Sequence, residues 1–286
     1  MKISVSSYSF QQYITAGKMT QFDCVAKAKE LGFDAIEFID LEAPDFESKK
    51  ALALKLRAEA NRVGIEINAY AIWANLFWKT PEESEREVER IKEQLEIAKM
   101  LGVGVMRHDI CGGLGQSGAS RSFDLMLPTI AKNALRITQY AKMLGIRTCI
   151  ENHGFVAQDS DRIERLFNAV ADDNFGVLID IGNFLCVDEN PITAVSRLAP
   201  YAIHVHLKDF KYTTASDFGK KIFTRGANYI KPTTVGTGDV PVKQCLAILK
   251  RAGYDNYISL EYEGSEDCVQ EISLGLKNIK EYLSQI

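Results

Sequence analysis

The sequence lacks long apolar runs and any strong excess of one charge. No segment reaches the roughly 18 uninterrupted apolar residues of a membrane-spanning helix. The N-terminus runs directly into residues 3–7 without the basic head, apolar stretch and cleavage site of an export signal. Lys and Arg number 34 against 38 Asp and Glu, a formal net charge of −4, which does not attract a polyanion. We therefore expect neither a membrane nor a nucleic-acid partner.

Cysteine is also sparse, with six in 286 residues and the closest pair, Cys245 and Cys268, 23 positions apart. Several lie within apolar, strand-like patterns, which indicates reduced, buried thiols in a cytoplasmic protein. Apolar residues at 46% and charged residues at 25% are ordinary for a globular chain. The composition therefore indicates neither disorder nor a collagenous or coiled-coil class.

Strand-like and helix-like segments alternate along the whole chain. Residues 80–83, Thr-Pro-Glu-Glu, are typical of a helix start, and that helix is predicted to end at Gly102. There are eight such strand–helix pairs, averaging about 36 residues, and their strands are too apolar to have a solvent-exposed face. They predict a single (β/α)8 TIM barrel domain over residues 1–286. The alternative is an open doubly wound sheet, but its dinucleotide-binding versions carry a glycine pattern that is missing here.

Polar side chains are concentrated at the predicted carboxyl ends of the strands, where barrels of this kind place their active sites. His204 and His206 alternate with apolar residues in one strand, so they share a face. Four side chains at the ends of neighbouring strands are expected to converge: Glu151, Asp180, His206 and Glu261.

Three buried carboxylates without a cation would be strongly destabilising, so we predict a divalent metal at this site. Three carboxylates and one imidazole favour manganese, with magnesium, cobalt and zinc as alternatives. The structural alternative is a set of ordinary strand-end residues that form salt bridges to loops.

Further residues near the predicted barrel mouth are candidates for substrate binding, each with a structural role as the alternative. The candidates are His153, Asn183, His108, Arg225, Lys208, Trp73 and Glu37. His204 is expected one layer below His206, and Glu263 is expected in solvent beyond the last strand.

The segment from Asp209 to Asp239 is the longest interruption of the pattern and is a candidate lid or binding loop. Between Lys208 and Lys231 it has six basic residues against two acidic ones, which suggests an anionic substrate unless the segment is a solvated flap. Its sequence at 235–239, Val-Gly-Thr-Gly-Asp, is a weak candidate phosphate loop. A second glycine- and serine-rich loop is predicted from Cys111 to Ser120.

Five phrases of the sequence resemble the xylose isomerase-like barrel superfamily. They are Ile-Glu-Asn-His-Gly at 150–154, Leu-Ile-Asp-Ile-Gly-Asn at 178–183, Ile-His-Val-His-Leu-Lys-Asp at 203–209, Val-Gly-Thr-Gly-Asp at 235–239 and Ser-Leu-Glu-Tyr-Glu-Gly at 259–264. Within the superfamily the chain looks like the sugar phosphate isomerase/epimerase group, which includes tagatose and psicose 3-epimerases. By that resemblance Glu151, Asp180, His206 and Glu261 are the metal ligands, and Glu151 and Glu261 are also the catalytic residues.

The resemblance implies a metal-dependent isomerase or epimerase that acts on a small keto-sugar or polyol derivative. Proton transfer would proceed through a metal-stabilised enediolate. Relatives often carry histidine three residues after the metal-binding aspartate, where this chain has Asn183, which cannot act as an acid or base.

That difference keeps open a lyase of the same fold, such as an inosose dehydratase, a keto-sugar acid decarboxylase or a 3-keto-glycoside eliminase. A non-catalytic sugar-binding barrel is a further alternative. The endonuclease IV branch is disfavoured, because it requires a histidine-rich cluster and this chain has four histidines in all. A homo-oligomer is expected by analogy only.

Overall fold

The computed structural model describes residues 1–111 and 122–286. The predicted glycine- and serine-rich loop lies, apart from Cys111, outside these described residues. Within them, eight parallel strands close into a barrel, which confirms the predicted TIM barrel. Numbered in chain order, the barrel strands are β1 Lys2–Ser6, β2 Ala35–Ile39, β3 Glu66–Ile72, β4 Val105–His108, β5 Arg147–Glu151, β6 Phe175–Asp180, β7 Ala202–Leu207 and β11 Tyr257–Leu260, and the three strands between β7 and β11 belong to a separate sheet. Around the barrel the order is β1-β11-β7-β6-β5-β4-β3-β2.

Helices surround the barrel and follow its strands in sequence. They are α1 Gln11–Thr15, α2 Gln21–Leu31, α3 Phe46–Val63, α4 Pro81–Leu101, α5 Phe123–Met143, α6 Ser160–Val170, α7 Pro191–Leu198, α8 Val242–Arg251 and α9 Cys268–Ser284. Helix α4 has the predicted capping box between Thr80 and Glu83 and ends at Gly102, whose φ of 82° favours glycine. No helix in the described part of the chain is long and apolar enough to cross a membrane.

Alternation along the strands separates the apolar core from the polar barrel mouth. Ile150, Ile179 and Val205 belong to the main core cluster, which the helices also line. Their sequence neighbours Glu151, Asp180 and His206 therefore point to the opposite side, into the barrel. All six cysteine side chains are buried, as predicted.

The segment after β7 forms a separate antiparallel sheet that sequence patterns did not predict. Its strands are β8 Asp209–Thr213, β9 Ile222–Phe223 and β10 Tyr229–Thr233, in the order β8-β10-β9.

The glycine-rich segment after β10 binds a carboxylate of this chain. The Asp209 carboxylate accepts hydrogen bonds from the backbone N–H groups of Gly236 and Gly238, both at 2.9 Å, and of Val240 at 3.1 Å. The candidate phosphate loop at 235–239 is therefore occupied by the protein itself, and that prediction is wrong.

Candidate metal and substrate site

The four predicted metal ligands come together at the carboxyl ends of β5, β6, β7 and β11. Each side chain of Glu151, Asp180, His206 and Glu261 offers one donor atom, and these atoms all lie within 4.8 Å of one another. All four residues are buried. The structure therefore brings together the four side chains that were expected to converge, and their role as metal ligands stays a prediction.

Asp180 is oriented by the backbone that follows it. Its Oδ1 accepts hydrogen bonds from the N–H groups of Gly182 at 2.8 Å and Asn183 at 2.9 Å. A Cβ at Gly182 would lie 2.6 Å from the carbonyl oxygen of Lys208, so this close approach requires glycine. Among the described residues Oδ2 has no hydrogen-bond partner, although the Lys208 Nζ lies 3.3 Å away as an ion pair.

Both carboxylate oxygens of Glu151 already accept hydrogen bonds. Asn183 Nδ2 donates to Oε1 at 3.0 Å, and Arg107 Nη2 donates to Oε2. Burial by itself raises the pKa of Glu151, but the charges of Arg107 and His206 lower it to about 2. Glu151 is therefore held as a carboxylate in a fixed orientation.

A buried lysine pairs with the carboxylates on the opposite side of the site. Lys208 Nζ lies 2.8 Å from Glu261 Oε2 and 2.9 Å from Glu263 Oε1. Burial lowers the pKa of Lys208, but the neighbouring carboxylates Asp180 and Glu261 raise it well above its usual value. The Glu263 side chain is only 15% exposed, so the expectation that it lies in solvent is wrong.

The two ring nitrogens of His206 face different carboxylates. Its Nε2 lies 2.9 Å from Glu37 Oε1, while Nδ1 lies 3.4 Å from Glu261 Oε2. His204 lies one layer deeper, as predicted, with Nε2 2.5 Å from Glu37 Oε2. Glu37 is fully buried beneath the site.

The cluster has the properties of a divalent-metal site. His206 Nδ1 and Asp180 Oδ2 are buried atoms without a hydrogen-bond partner in the described part of the chain, which is rare unless another group binds them. Burial, together with the charges of Glu151 and Glu261, raises the pKa of Asp180 to about 6 even though Lys208 and His206 act against the rise. Three carboxylates and one imidazole suit manganese, magnesium or zinc. The residues therefore fit a divalent cation.

A cavity of about 220 Å³ opens beside this cluster. It is lined by Tyr8, Ile39, Asp40, Ala71, Ile72, Trp73, Arg107, Asp109, Glu151, His153, Lys208, Glu261 and Glu263. Of the predicted substrate-binding residues, His153, Lys208 and Trp73 line it. Carboxylates, cations and aromatic rings together suit a polar, hydroxyl-rich ligand with a few apolar faces.

A histidine–aspartate pair lies in the same cavity. His153 Nδ1 lies 3.1 Å from Asp109 Oδ1, and Arg107 Nη2 lies 3.1 Å from the same oxygen. The His153 side chain is 47% exposed. Asp109 was not predicted from the sequence, because 44 positions separate it from His153 and no local motif connects them.

Four predicted substrate-binding residues are not among those that line the cavity. His108 is fully buried and packs near Phe175, outside the barrel. Arg225 pairs with Asp159 at 2.9 Å. Glu37 contacts the two histidines of β7. Asn183, also buried, donates to Glu151.

The fold and the site define a (β/α)8 barrel of an enzyme family, with a carboxylate-rich cluster at the carboxyl ends of its strands that fits a divalent metal. Residues 25–282 match the family model described as xylose isomerase-like TIM barrel, so the chain belongs to that family.

Similar proteins include both a dehydratase and an epimerase-like protein. The inosose dehydratase of Lacticaseibacillus casei is 25% identical over 221 residues, which cover 74% of each chain. The crystal structure of IOLI protein with a binding zinc atom has a TM-score of 0.78 at 15% identity, with 100% of this chain and 99% of that chain covered. A D-tagatose 3-epimerase-like protein has a TM-score of 0.69 at 23% identity, with 99% and 97% covered. The two solved structures, both under 25% identical to this chain, show that it shares their fold.

Proposed function

We propose that this protein is a metal-dependent lyase that removes water from a small polyhydroxylated ketone of the inosose or keto-sugar class. The reaction breaks a C–H bond next to the carbonyl and a C–O bond one carbon further on, so the product is an unsaturated ketone. The inosose dehydratases among its relatives support this reaction class.

The proposal depends mainly on a difference between Glu151 and His153, two side chains of the cavity compared as proton-transfer groups. Glu151 accepts hydrogen bonds at both oxygens, from Asn183 and Arg107, so it is poorly placed to take a proton and later return it. His153 is held through Nδ1 by Asp109, so its other ring nitrogen can exchange a proton with a substrate. One such group is sufficient for an elimination, whereas 3-epimerisation uses two on opposite faces.

His153 is therefore assigned the role of base. It takes the proton next to the carbonyl, and Asp109 stabilises the imidazolium that forms, by the same logic as in other aspartate–histidine pairs. His153 then delivers that proton to the leaving hydroxyl group, which departs as water. The histidine returns to its starting state, so no further reactant is needed.

Glu151, Asp180, His206 and Glu261 would hold the divalent ion beside this base. When bound, the ion supplies Lewis-acid stabilisation of negative charge that develops on a substrate carbonyl oxygen. Lys208 keeps Glu261 and Asp180 oriented through its ion pairs at 2.8 and 3.3 Å. Trp73, 45% exposed at the cavity, is proposed to cover an apolar face of the substrate. Manganese remains our preferred ion.

The test is product analysis of the manganese-loaded enzyme with a panel of inososes and keto-sugars in D₂O. A lyase gives a product one water lighter, and His153→Gln is expected to abolish its formation while it still binds one metal ion per chain. A product that has lost no water and carries deuterium next to the carbonyl would contradict the lyase proposal. If His153→Gln forms the dehydrated product as wild type does, His153 is not the base.

The second candidate is the isomerase or epimerase that the sequence motifs suggested. It is favoured by the convergence of Glu151 and Glu261 on one cluster, since those carboxylates would then be the two catalytic residues that remove and return the proton. The same experiment in D₂O separates the two candidates, because isomerisation and epimerisation conserve the mass of the substrate apart from exchanged deuterium.

A further inference from the structure

Glu37 is a buried carboxylate that neither the metal cluster nor the cavity includes. It is fully buried in the middle of β2, Ala35–Ile39, and its side chain reaches β7 across the barrel interior. Its Oε1 lies 2.9 Å from His206 Nε2, and its Oε2 lies 2.5 Å from His204 Nε2. Ser259 Oγ donates a third hydrogen bond to Oε2 at 3.0 Å. A substrate in the cavity therefore has no direct access to Glu37.

The contact with Glu37 determines which nitrogen of His206 is available. A neutral imidazole has one N–H donor and one acceptor nitrogen. Because a carboxylate can only accept a hydrogen bond, Glu37 favours the tautomer of the neutral ring with the proton on Nε2, in which Nδ1 is the acceptor. Nδ1 is the buried nitrogen without a hydrogen-bond partner in the described residues, and it lies 3.4 Å from Glu261 Oε2 and 3.8 Å from Glu151 Oε1.

We propose that Glu37 is a positioning residue of the metal site, which fixes His206 in the tautomer and orientation that present Nδ1 to a divalent cation. Metal-binding histidines commonly donate their other N–H to a carboxylate, and this contact strengthens metal binding. His204 and Ser259 hold Glu37 in turn. The inference rests on the metal site of the proposed function but not on its reaction, since metal binding is measured without a substrate.

Glu37, His204 and His206 also form a three-donor group of their own. However, the nitrogen–oxygen distances of 2.5 and 2.9 Å within this group are those of direct hydrogen bonds. A second cation among them would have to separate these pairs. We therefore expect one metal ion per chain, and a binding stoichiometry of two would overturn the proposal.

The test compares metal affinity in chelator-treated wild type and Glu37→Gln by calorimetric titration with Mn²⁺ and Zn²⁺. We expect the dissociation constants of Glu37→Gln to rise about 10- to 100-fold. The control is Glu59→Gln, which removes another largely buried carboxylate that pairs with Arg62 on α3, away from the site, and should leave metal affinity unchanged. Equal affinities in wild type and a folded Glu37→Gln would overturn the proposal.

A second measurement does not depend on the folding of that variant. Nitrogen NMR of the wild-type histidine rings, loaded with Zn²⁺ and assigned with His206→Gln, reports the tautomer of His206. The expected spectrum shows a proton on Nε2 and metal on Nδ1. A proton on Nδ1 of His206 in the loaded protein would overturn the proposal even if Glu37→Gln cannot be purified. If neither variant nor wild type binds metal, the metal-dependent function itself fails, which is a distinct result.

Discussion

Asn183 Nδ2 donates a hydrogen bond to Glu151 Oε1 across 3.0 Å. By the family resemblance, Asn183 lies where relatives often have histidine, and the sequence predicts that it binds substrate. Its amide instead holds the carboxylate of Glu151, one of the proposed metal ligands. The replacement of histidine by asparagine thus changes this position from a possible proton carrier to a structural support of Glu151.

Asn183→Ala is expected to weaken metal binding about tenfold. The variant loses a hydrogen bond to a charged group, and such a bond stabilises a protein by roughly 1.5–3 kcal/mol. Without it the Glu151 carboxylate is oriented less well, so part of this free energy is lost from metal binding. Calorimetric titration with Mn²⁺ provides the measurement. Asn278→Ala is the control, because the Asn278 amide donates to the carbonyl of Val235 at 2.8 Å, away from the cavity. Unchanged affinity in Asn183→Ala would show that this hydrogen bond does not support the ligand.

The sequence was sufficient for the parts of the site that depend on strand alternation. His204, His206 and Lys208 alternate with apolar residues, and the structure places all three side chains toward the barrel interior. The closed barrel also followed from the strand–helix repeat and the helix caps. These features depend on local periodicity, which a single sequence contains.

Two kinds of residue could not be placed correctly from the sequence. His108 was predicted to bind substrate, but it is the last residue of β4 and is fully buried beside Phe175. Neighbouring side chains of a strand point to opposite faces, and it is the adjacent Arg107 that lines the cavity. Tyr8 and Asp109 reach the cavity through tertiary packing, and no local pattern marks them.

Lys208→Met is expected to destabilise the metal-free protein and to increase the gain in Tm that bound metal produces. Removal of the ammonium leaves Asp180, Glu261 and Glu263 without their shared cation, and loss of one partner from a buried charge network costs about 3–5 kcal/mol. For a chain of this size that corresponds to a Tm lower by roughly 10 °C. Scanning calorimetry with and without Mn²⁺ measures both effects.

The exposed Lys243 provides the control for that experiment, because its Nζ binds only the side chain of Gln285 among the described residues. Lys243→Met should change stability by no more than about 0.5 kcal/mol. A metal-free Tm of Lys208→Met equal to that of wild type would contradict the role of the lysine as a counter-charge. Equal metal-induced Tm increases in the two proteins would contradict the expected metal dependence.

Asp180→Asn is expected to abolish stoichiometric metal binding in the purified protein. The substitution retains shape but replaces the anionic Oδ2, the oxygen without a hydrogen-bond partner in the described chain, with a neutral amide atom. Metal content is measured by mass spectrometry after growth with manganese. Asp188→Asn is a comparison outside the cluster, where the carboxylate accepts from Thr224 and Asn228 at 2.9 and 2.8 Å. One tightly bound ion per chain in Asp180→Asn would exclude Asp180 as an essential ligand.

Gly182→Ala is expected to destabilise the protein and to displace Asp180. A Cβ at this position would lie 2.6 Å from the carbonyl oxygen of Lys208, so the loop after β6 and the end of β7 would have to move apart. Overpacking of this kind typically costs about 1–3 kcal/mol, and the shift also moves the N–H of residue 182 that donates to Asp180 Oδ1 at 2.8 Å. Lower Tm and weaker Mn²⁺ binding should therefore occur together.

Gly104→Ala is the matched control, because a Cβ there meets no atom within 4 Å and the residue is not among the glycines with positive φ. It should leave Mn²⁺ affinity unchanged and Tm unchanged or slightly raised, since alanine restricts the unfolded chain more than glycine does. If Gly182→Ala loses stability but binds Mn²⁺ as wild type does, the close contact with β7 is structural only. If it loses neither, the contact between Gly182 and Lys208 does not constrain the metal site.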